Sequence, residues 1–215
     1  CPKCRLWQPS APLSVVMSQK RDRLFSRIFV LHLERDKVRW QQFQQSLYQS
    51  GTKAEDRGRS WIMFPGVDGK EKTQMEATIQ HFFPQEDSTL KTKIWSFWKE
   101  KPGTIGCYFS HMRLWEHMFQ TRDPTEEFVL VLEDDILFLP HTLPNIESVV
   151  HQALQHPYWD ILYFGHTELR GKQVSPLFLY PNVNQNDNGT NAGLWCTIYR
   201  VSSLPKLLNT VKDFP

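Results

Sequence analysis

Three consecutive acidic residues, Glu133, Asp134 and Asp135, directly follow the apolar run at residues 128–132. A short run of aliphatic and β-branched residues predicts a strand buried on both faces, which is typical of parallel sheets covered by helices. Carboxylates this close raise one another's pKa and resist burial unless a cation or a hydrogen-bond network compensates. A divalent metal ion is the simplest such cation. An exposed acidic turn without a ligand is the alternative that the tripeptide alone leaves open.

The position of this cluster also favours a ligand site, because open α/β sheets bind ligands outside the carboxyl ends of their strands. If the chain stays extended, Glu133 and Asp135 lie on one side and Asp134 on the other. We therefore expect one or two of the three carboxylates to reach a metal ion.

The elements around this cluster alternate between strands and helices. Buried strands are predicted at residues 28–33, 61–64, 128–132, 159–165 and 194–199. Helices are predicted at residues 34–49, 104–119 and 143–154, with a closing helix that Ser202 caps and that runs to residue 211. In the second helix, Thr104 is the expected cap. This alternation predicts an α/β fold with a mainly parallel sheet and helices on both faces.

The aromatic-rich segment at residues 70–101 has no clear period, so it predicts either a mobile lid or acceptor surface, or aromatic side chains packed in a core. Residues 1–26 mix proline, serine and charge, and they predict a disordered leader before one domain at residues 27–215. Cys1 and Cys4 have the spacing of a zinc knuckle, but a closed structural zinc site needs four ligands.

Composition limits the partners. The 215 residues carry a formal net charge of +2, and no arginine-rich tract is present, so we expect no nucleic acid partner. No window approaches the roughly 20 apolar residues of a transmembrane helix, and no signal peptide is evident. We therefore expect a cytoplasmic enzyme, with peripheral contact to the inner membrane through Lys20, Arg21 and Arg23 if its acceptor is linked to lipid.

Taken in order, the segments resemble glycosyltransferase family 25, which holds lipooligosaccharide galactosyltransferases and procollagen galactosyltransferases. The resemblance covers residues 27 to about 211. It rests on Ile28-Phe29-Val30-Leu31-His32-Leu33-Glu34-Arg35 with Arg39, on Gly66-Val67-Asp68-Gly69, on Gly103-Thr104-Ile105-Gly106-Cys107-Tyr108-Phe109-Ser110-His111, on Leu130-Val131-Leu132-Glu133-Asp134-Asp135, on Trp159-Asp160-Ile161-Leu162-Tyr163-Phe164-Gly165, and on the late strand that follows Gly193.

This resemblance implies a GT-A-like, Rossmann-like fold and transfer of a hexose, often galactose, from a UDP-sugar to a hydroxyl group. Inversion is the usual stereochemistry, and the acceptor would be a glycan, a lipooligosaccharide or a glycoprotein. Mn²⁺ or Mg²⁺ would neutralise the charge that develops on the departing nucleoside diphosphate. By analogy with the last acid of the Asp-x-Asp motif, Asp135 is the first expected metal ligand. Glu133 would lie beside it in the metal site, and Asp134 would orient the donor.

The resemblance also implies donor contacts on other elements. Leu33 ends the first predicted strand and Arg35 and Arg39 follow it, and the two arginines would hold the phosphates or the base edge. Asp68 lies in a glycine-flanked loop where a backbone can approach a ligand closely. Solvated helix charges and a turn-stabilising aspartate are the plainer explanations.

On the second helix, Ser110 and His111 are expected at the donor site, although a buried histidine bonded to a carbonyl explains His111 as well. An inverting transfer also needs a general base. Asp187 and then Glu168 are the candidates, because both lie in the loop after the 159–165 strand, where an acceptor could enter.

Two departures from the family pattern stand out. His32 occupies the position where the family usually has asparagine, and the chain stops at Pro215 where relatives run on. Two other functions stay open: a non-catalytic module that binds sugar nucleotides or glycans, and a metal-dependent nucleotidyltransferase or phosphatase.

Overall fold

The computed structural model describes residues 24–51, 59–84, 88–156, 159–164, 171–175, 178–181 and 195–210. Its strands are β1 (Arg27–His32), β2 (Ser60–Pro65), β3 (Phe128–Glu133), β4 (Ile161–Tyr163), β5 (Gly171–Gln173), β6 (Leu179–Pro181) and β7 (Cys196–Arg200). Its helices are α1 (Lys37–Gln49), α2 (Lys72–Phe82), α3 (Ser88–Glu100), α4 (Pro102–Gln120), α5 (Thr142–Ala153) and α6 (Leu204–Thr210), and a short 3₁₀ turn at Val201–Ser203 precedes α6. Within these ranges, no helix is long and apolar enough to cross a bilayer.

The main sheet has five strands in the order β2-β1-β3-β7-β4, and β5 pairs with β6 in a separate hairpin. β1 is parallel to β2 and to β3, whereas β7 is antiparallel to both β3 and β4. The predicted α/β class is confirmed, but the sheet is mixed and not mainly parallel. A parallel neighbour needs a crossover connection, usually a helix. The described part of the chain between β4 and β7 supplies only the β5–β6 hairpin.

Helices cover both faces of the sheet, as predicted, because the strand side chains alternate between two apolar clusters. One cluster joins even-numbered β3 side chains to Phe43 and Leu47 of α1 and to Ile146 and Val150 of α5. The other joins Val129 and Val131 of β3 to Leu114 and Met118 of α4 and to Leu204 at the start of α6. β3 therefore lies buried between two layers of helices.

The aromatic segment at residues 70–101 forms helices α2 and α3, which pack against α4. Phe83 and Ile94 are buried there against Phe109, with Phe82, Trp95, Phe97 and Trp98 packed around them. Core packing thus accounts for these aromatic side chains, in preference to a mobile lid.

The packed structure includes residues before the predicted start at Arg27. The Phe25 side chain is completely buried in the same cluster as the even-numbered β3 side chains. Ser26 Oγ donates a 2.7 Å hydrogen bond to Glu126, which also pairs with Arg27. Residues 1–23, with Cys1 and Cys4, lie outside the described residues.

Candidate functional site

The three parallel strands β1, β2 and β3 end at one edge of the sheet. Leu31 of β1 lies opposite Phe64 of β2 and opposite Glu133 of β3. The segments that follow these strands therefore meet there, which is where a ligand binds in an open α/β sheet. The three acidic residues lie at this edge.

Asp134 is held by the protein on both carboxylate oxygens. Its Oδ2 atom is 2.6 Å from Nδ1 of His32, and its Oδ1 atom is 2.6 Å from Nη2 of Arg39. The Asp134 side chain is only 4 % exposed, and its backbone N–H donates to the carbonyl of Leu31. The His32 ring lies against Trp40, with 5.1 Å between the ring centroids. The geometry makes Asp134 an anchor for Arg39 and His32.

Asp135 differs from its neighbour because only one of its oxygens has a partner. Its Oδ2 atom lies 3.2 Å from Arg39 Nη2, whereas Oδ1 is buried without a hydrogen-bond partner among the described residues. Burial, and then the nearby charge of Glu133, raise the pKa of Asp135 above the usual carboxyl value. A buried, unpartnered carboxylate oxygen fits the oxygen ligand that Mg²⁺ or Mn²⁺ prefers.

The predicted alternation holds for Glu133 and Asp134, which contact helices on opposite faces of the sheet, but it is wrong for Asp135, which was expected on the side of Glu133. Asp134 and Asp135 both contact Arg39, whereas Glu133 contacts α4. The physical reason is that β3 ends at Glu133 and the chain then turns, so the two-residue period of a strand no longer applies.

Glu133 belongs to a separate cluster with Cys107 and His111 of α4. Its Oε1 atom accepts from Cys107 Sγ at 3.4 Å and lies 3.3 Å from His111 Nε2. The Tyr199 hydroxyl of β7 lies 3.3 Å from the other ring nitrogen of His111. The His111 side chain is 1 % exposed, and both of its ring nitrogens face protein groups. Burial and Glu133 raise the pKa of the Cys107 thiol far above its usual value.

Two glycines allow the Gly66–Gly69 loop to dock on the start of α4. A Cβ atom at Gly69 would lie 1.7 Å from the carbonyl oxygen of Pro102, and one at Gly106 would lie 2.6 Å from the Gly69 nitrogen. Ser110 fastens the same contact, because its hydroxyl accepts from Val67 N–H and donates to the Gly106 carbonyl, each at 2.7 Å. The sequence suggested that these glycines let the backbone approach a ligand, but the close approach that they permit here is between the loop and helix α4.

The expected Thr104 cap is wrong, because α4 begins two residues earlier. Lys101 is its N-cap and Pro102 occupies the first turn, where the missing N–H of proline costs no helical hydrogen bond.

Arg35 and Asp68 join the first two strand ends. They form an ion pair, and the Arg35 side chain is 44 % exposed. The other Asp68 oxygen accepts from the Lys70 N–H at 2.8 Å, and the Leu33 carbonyl accepts from Asp36 N–H at 2.8 Å in the turn after β1. Arg35 therefore has a guanidinium that reaches solvent at the same edge as Asp135.

The structure thus brings most of the predicted residues to one edge: Leu33, Arg35, Arg39, Asp68, Ser110, His111, Glu133, Asp134 and Asp135. Glu168 and Asp187 lie outside the described residues.

Sequence reasoning missed the contacts of His32, Cys107 and Tyr199. The spacing of Cys107 and His111, four residues apart on a predicted helix, was the available signal, because such residues share a helix face. Tyr199 had no such signal, since only the antiparallel β3–β7 pairing brings it to His111.

Comparison with known proteins gives a consistent result. Residues 25–178 match a family model described as "Glycosyltransferase family 25 (LPS biosynthesis protein)". The chain is 30% identical over 181 residues to a "Glycosyltransferase 25 family member" of Drosophila melanogaster, covering 82% of this chain and 26% of the relative. It is 26% identical over 181 residues to "Procollagen galactosyltransferase 2" of Homo sapiens, again covering 82% of this chain and 26% of the relative. The chain therefore spans about a quarter of the length of these relatives.

Proposed function

The chain belongs to glycosyltransferase family 25, and we propose that it transfers a hexose from a UDP-sugar to an acceptor hydroxyl group. Galactose is the first candidate for this hexose. The observation that carries this proposal is the Oδ1 atom of Asp135, which is buried at the shared edge of three parallel strands and has no hydrogen-bond partner in the described part of the chain. The mixed α/β sheet with helices on both faces is consistent with a GT-A-like fold.

The proposed transfer depends on Mn²⁺ or Mg²⁺. Asp135 would hold the ion through Oδ1, with Glu133 beside it. Three carboxylates lie at this edge, and two of them share the single positive charge of Arg39. The local negative charge therefore favours a further cation. When bound, the ion supplies Lewis acidity that neutralises the departing diphosphate.

The residues of the site have two kinds of proposed role: some contact the donor, and others hold neighbouring side chains in position. Arg35 has an exposed guanidinium suited to bidentate contact with phosphate oxygens, and Asp68 orients it through their ion pair. Arg39 and Asp134 fix the position of Asp135. His111 lies too deep to touch an acceptor, so we assign it the role of orienting Glu133.

The acceptor has two proposed classes. A relative is named procollagen galactosyltransferase 2, which favours a hydroxyl group on a collagen-like peptide. The family model's description names LPS biosynthesis, which favours a glycan. For an inverting transfer, Asp187 and then Glu168 stay the proposed general bases. Cytoplasmic location and contact with a membrane surface also stay predictions.

The experiment is a transfer assay read by mass spectrometry. The protein is incubated with UDP-galactose or UDP-glucose, with Mn²⁺ or EDTA, and with either a hydroxylysine-containing collagen peptide or an oligosaccharide. We expect one acceptor to gain one hexose with Mn²⁺ only, and Asp135→Asn to lose at least about 100-fold in rate. Nucleotide binding without transfer to either class would overturn the enzymatic proposal in favour of a binding module. Formation of a sugar nucleotide from UTP and a sugar phosphate would favour the nucleotidyltransferase alternative.

A further inference from the structure

Cys107, His111 and Glu133 point three different ligand atoms at one another. Cys107 and His111 lie four residues apart on one face of α4, and Glu133 closes β3 beside them. One ligand atom from each residue, sulfur, nitrogen and oxygen, lies within 4.8 Å of the other two. We call these three residues the Cys-His-Glu cluster.

We propose that the Cys-His-Glu cluster is a second cation site, distinct from Asp135, that binds Zn²⁺ and leaves its fourth position open. Bonds from zinc to sulfur, nitrogen and oxygen of about 2.0 to 2.3 Å at tetrahedral angles separate the ligand atoms by roughly 3.3 to 3.7 Å. The Sγ–Oε1 and Nε2–Oε1 separations are 3.4 Å and 3.3 Å. Two of the three separations therefore already match a tetrahedral ion, and the third, between Sγ and Nε2, is within 4.8 Å.

The surroundings of His111 support this assignment independently. A metal-binding histidine usually donates its other ring N–H to a protein acceptor, which fixes the ring and directs the free lone pair at the ion. The buried Tyr199 hydroxyl lies 3.3 Å from His111 Nδ1 and can accept that hydrogen bond. Nε2 is the nitrogen that faces Glu133, so its lone pair would be directed into the cluster.

The donor set separates this site from the one at Asp135. A thiolate and an imidazole favour Zn²⁺, whereas carboxylates alone favour Mg²⁺ or Mn²⁺. Cys107 is partly exposed and Glu133 is 17% exposed, so an ion can enter from that side. The proposal does not depend on sugar transfer, although the two sites share Glu133.

Titration with Co²⁺ under anaerobic conditions tests the site, because cobalt replaces zinc and a thiolate ligand produces a charge-transfer band in the near ultraviolet. Cys1, Cys4 and Cys196 also carry thiols. Cys196 is completely buried, so the starting protein is the Cys1→Ser, Cys4→Ser double variant. We expect this protein to show the band at one equivalent of cobalt. Excess Zn²⁺ should remove the band, and excess Mg²⁺ should not.

Adding Cys107→Ser should abolish the band, and adding His111→Gln should weaken cobalt binding by at least about tenfold. Asp135→Asn is the matched control, and it should retain the band, which would separate this site from the proposed donor site. Circular dichroism checks that each variant is folded. A band that is absent from the starting protein, or that survives Cys107→Ser, would overturn the proposal.

A second measurement needs no variant at Cys107. Zn²⁺ should protect Cys107 from alkylation by iodoacetamide, as mapped by mass spectrometry, by at least about tenfold in rate, since a metal-bound thiolate is shielded. Equal alkylation with and without Zn²⁺ would mean that the cluster is held by hydrogen bonds alone.

Discussion

Arg39 contacts Asp134 and Asp135 through one guanidinium nitrogen, Nη2, at 2.6 Å and 3.2 Å. Asp134 is nearly buried, whereas the Asp135 side chain is 24% exposed. One positive charge thus serves two carboxylates, and among the described residues the more exposed carboxylate keeps one oxygen without a hydrogen-bond partner. This arrangement holds Asp135 in a fixed orientation, and it is the basis of the proposed metal contact through Oδ1.

Arg39→Gln should tighten Mn²⁺ binding a few-fold in the absence of nucleotide, because it removes a competing positive charge next to Asp135. Calorimetric titration with Mn²⁺ measures the change. Arg35→Gln is the matched control, since the ion pairs of Arg35 are with Asp36 and Asp68, and its Mn²⁺ affinity should not change. Weaker Mn²⁺ binding by a folded Arg39→Gln protein would contradict the competition and would mean that the positioning of Asp135 by Arg39 matters more than its charge.

His32→Ala should lower the free energy of unfolding by about 1–3 kcal/mol, because it leaves the buried Asp134 carboxylate without one of its two partners. His32→Asn keeps an amide donor and should cost clearly less. Urea denaturation of the two variants and the wild-type protein measures the difference. Equal losses for the two variants would mean that the hydrogen bond to Asp134 contributes little.

Gly106→Ala should lower the free energy of unfolding by about 1–3 kcal/mol, because its Cβ would meet the Gly69 nitrogen and the Val67 carbonyl within 2.7 Å. Gly103→Ala on the same helix meets nothing within 4 Å, so it should be neutral or stabilising by up to about 1 kcal/mol. Thermal unfolding measures both variants. Similar effects at the two positions would argue against tight docking of the Gly66–Gly69 loop.

Asp160→Asn should weaken the attachment of α6 in a pH-dependent way. Hydrogen bonds from Lys206 and then Ser203 hold the pKa of Asp160 below its usual value. A lowered carboxyl pKa contributes stability above the unfolded-state pKa, and this stability is lost as pH falls through the folded-state value. The variant should therefore be less stable near pH 7, by no more than about 1 kcal/mol, and nearly equal to wild type once the pH has fallen below the folded-state pKa of Asp160. Urea denaturation at several pH values measures the free energy of unfolding of both proteins. A loss of stability that does not depend on pH would contradict the ionic role of Asp160.

Local patterns in the sequence predicted much of the fold. The apolar runs at β1 and β3 and the spacing on α4 located those elements within a few residues, because burial on fixed faces leaves a periodic trace. The segment that forms α2 and α3 was not predicted. Met75, Ile79 and Phe82 of α2 do recur at helical spacing, but Trp95, Phe97 and Trp98 of α3 lie one to three residues apart and obscure the period there. The reversed direction of β7 was also missed, because strand direction depends on connections and not on local sequence.

The candidate site was predicted as a list of residues more successfully than as a set of contacts. The acidic residues could be placed at a strand end with Glu133 and Asp134 on opposite sides, but the contact that Asp134 and Asp135 share with Arg39 could not be predicted. The contacts of the three acidic residues depend on where β3 ends, on the reach of Arg39 from α1, and on the position of Cys107 and His111 opposite Glu133. Such partners lie far apart in the chain, so no local pattern specifies them.

The most direct test of the account is calorimetric titration of UDP into the wild-type protein and Asp135→Asn, each with Mn²⁺ and with EDTA. Glu76→Gln, which removes an acid from the exposed face of α2, is the matched control. We predict UDP binding by the wild-type protein and the control only with Mn²⁺, and loss of that binding in a folded Asp135→Asn protein. Binding that is unaffected by EDTA, or that survives in Asp135→Asn, would contradict a metal-assisted donor site at Asp135.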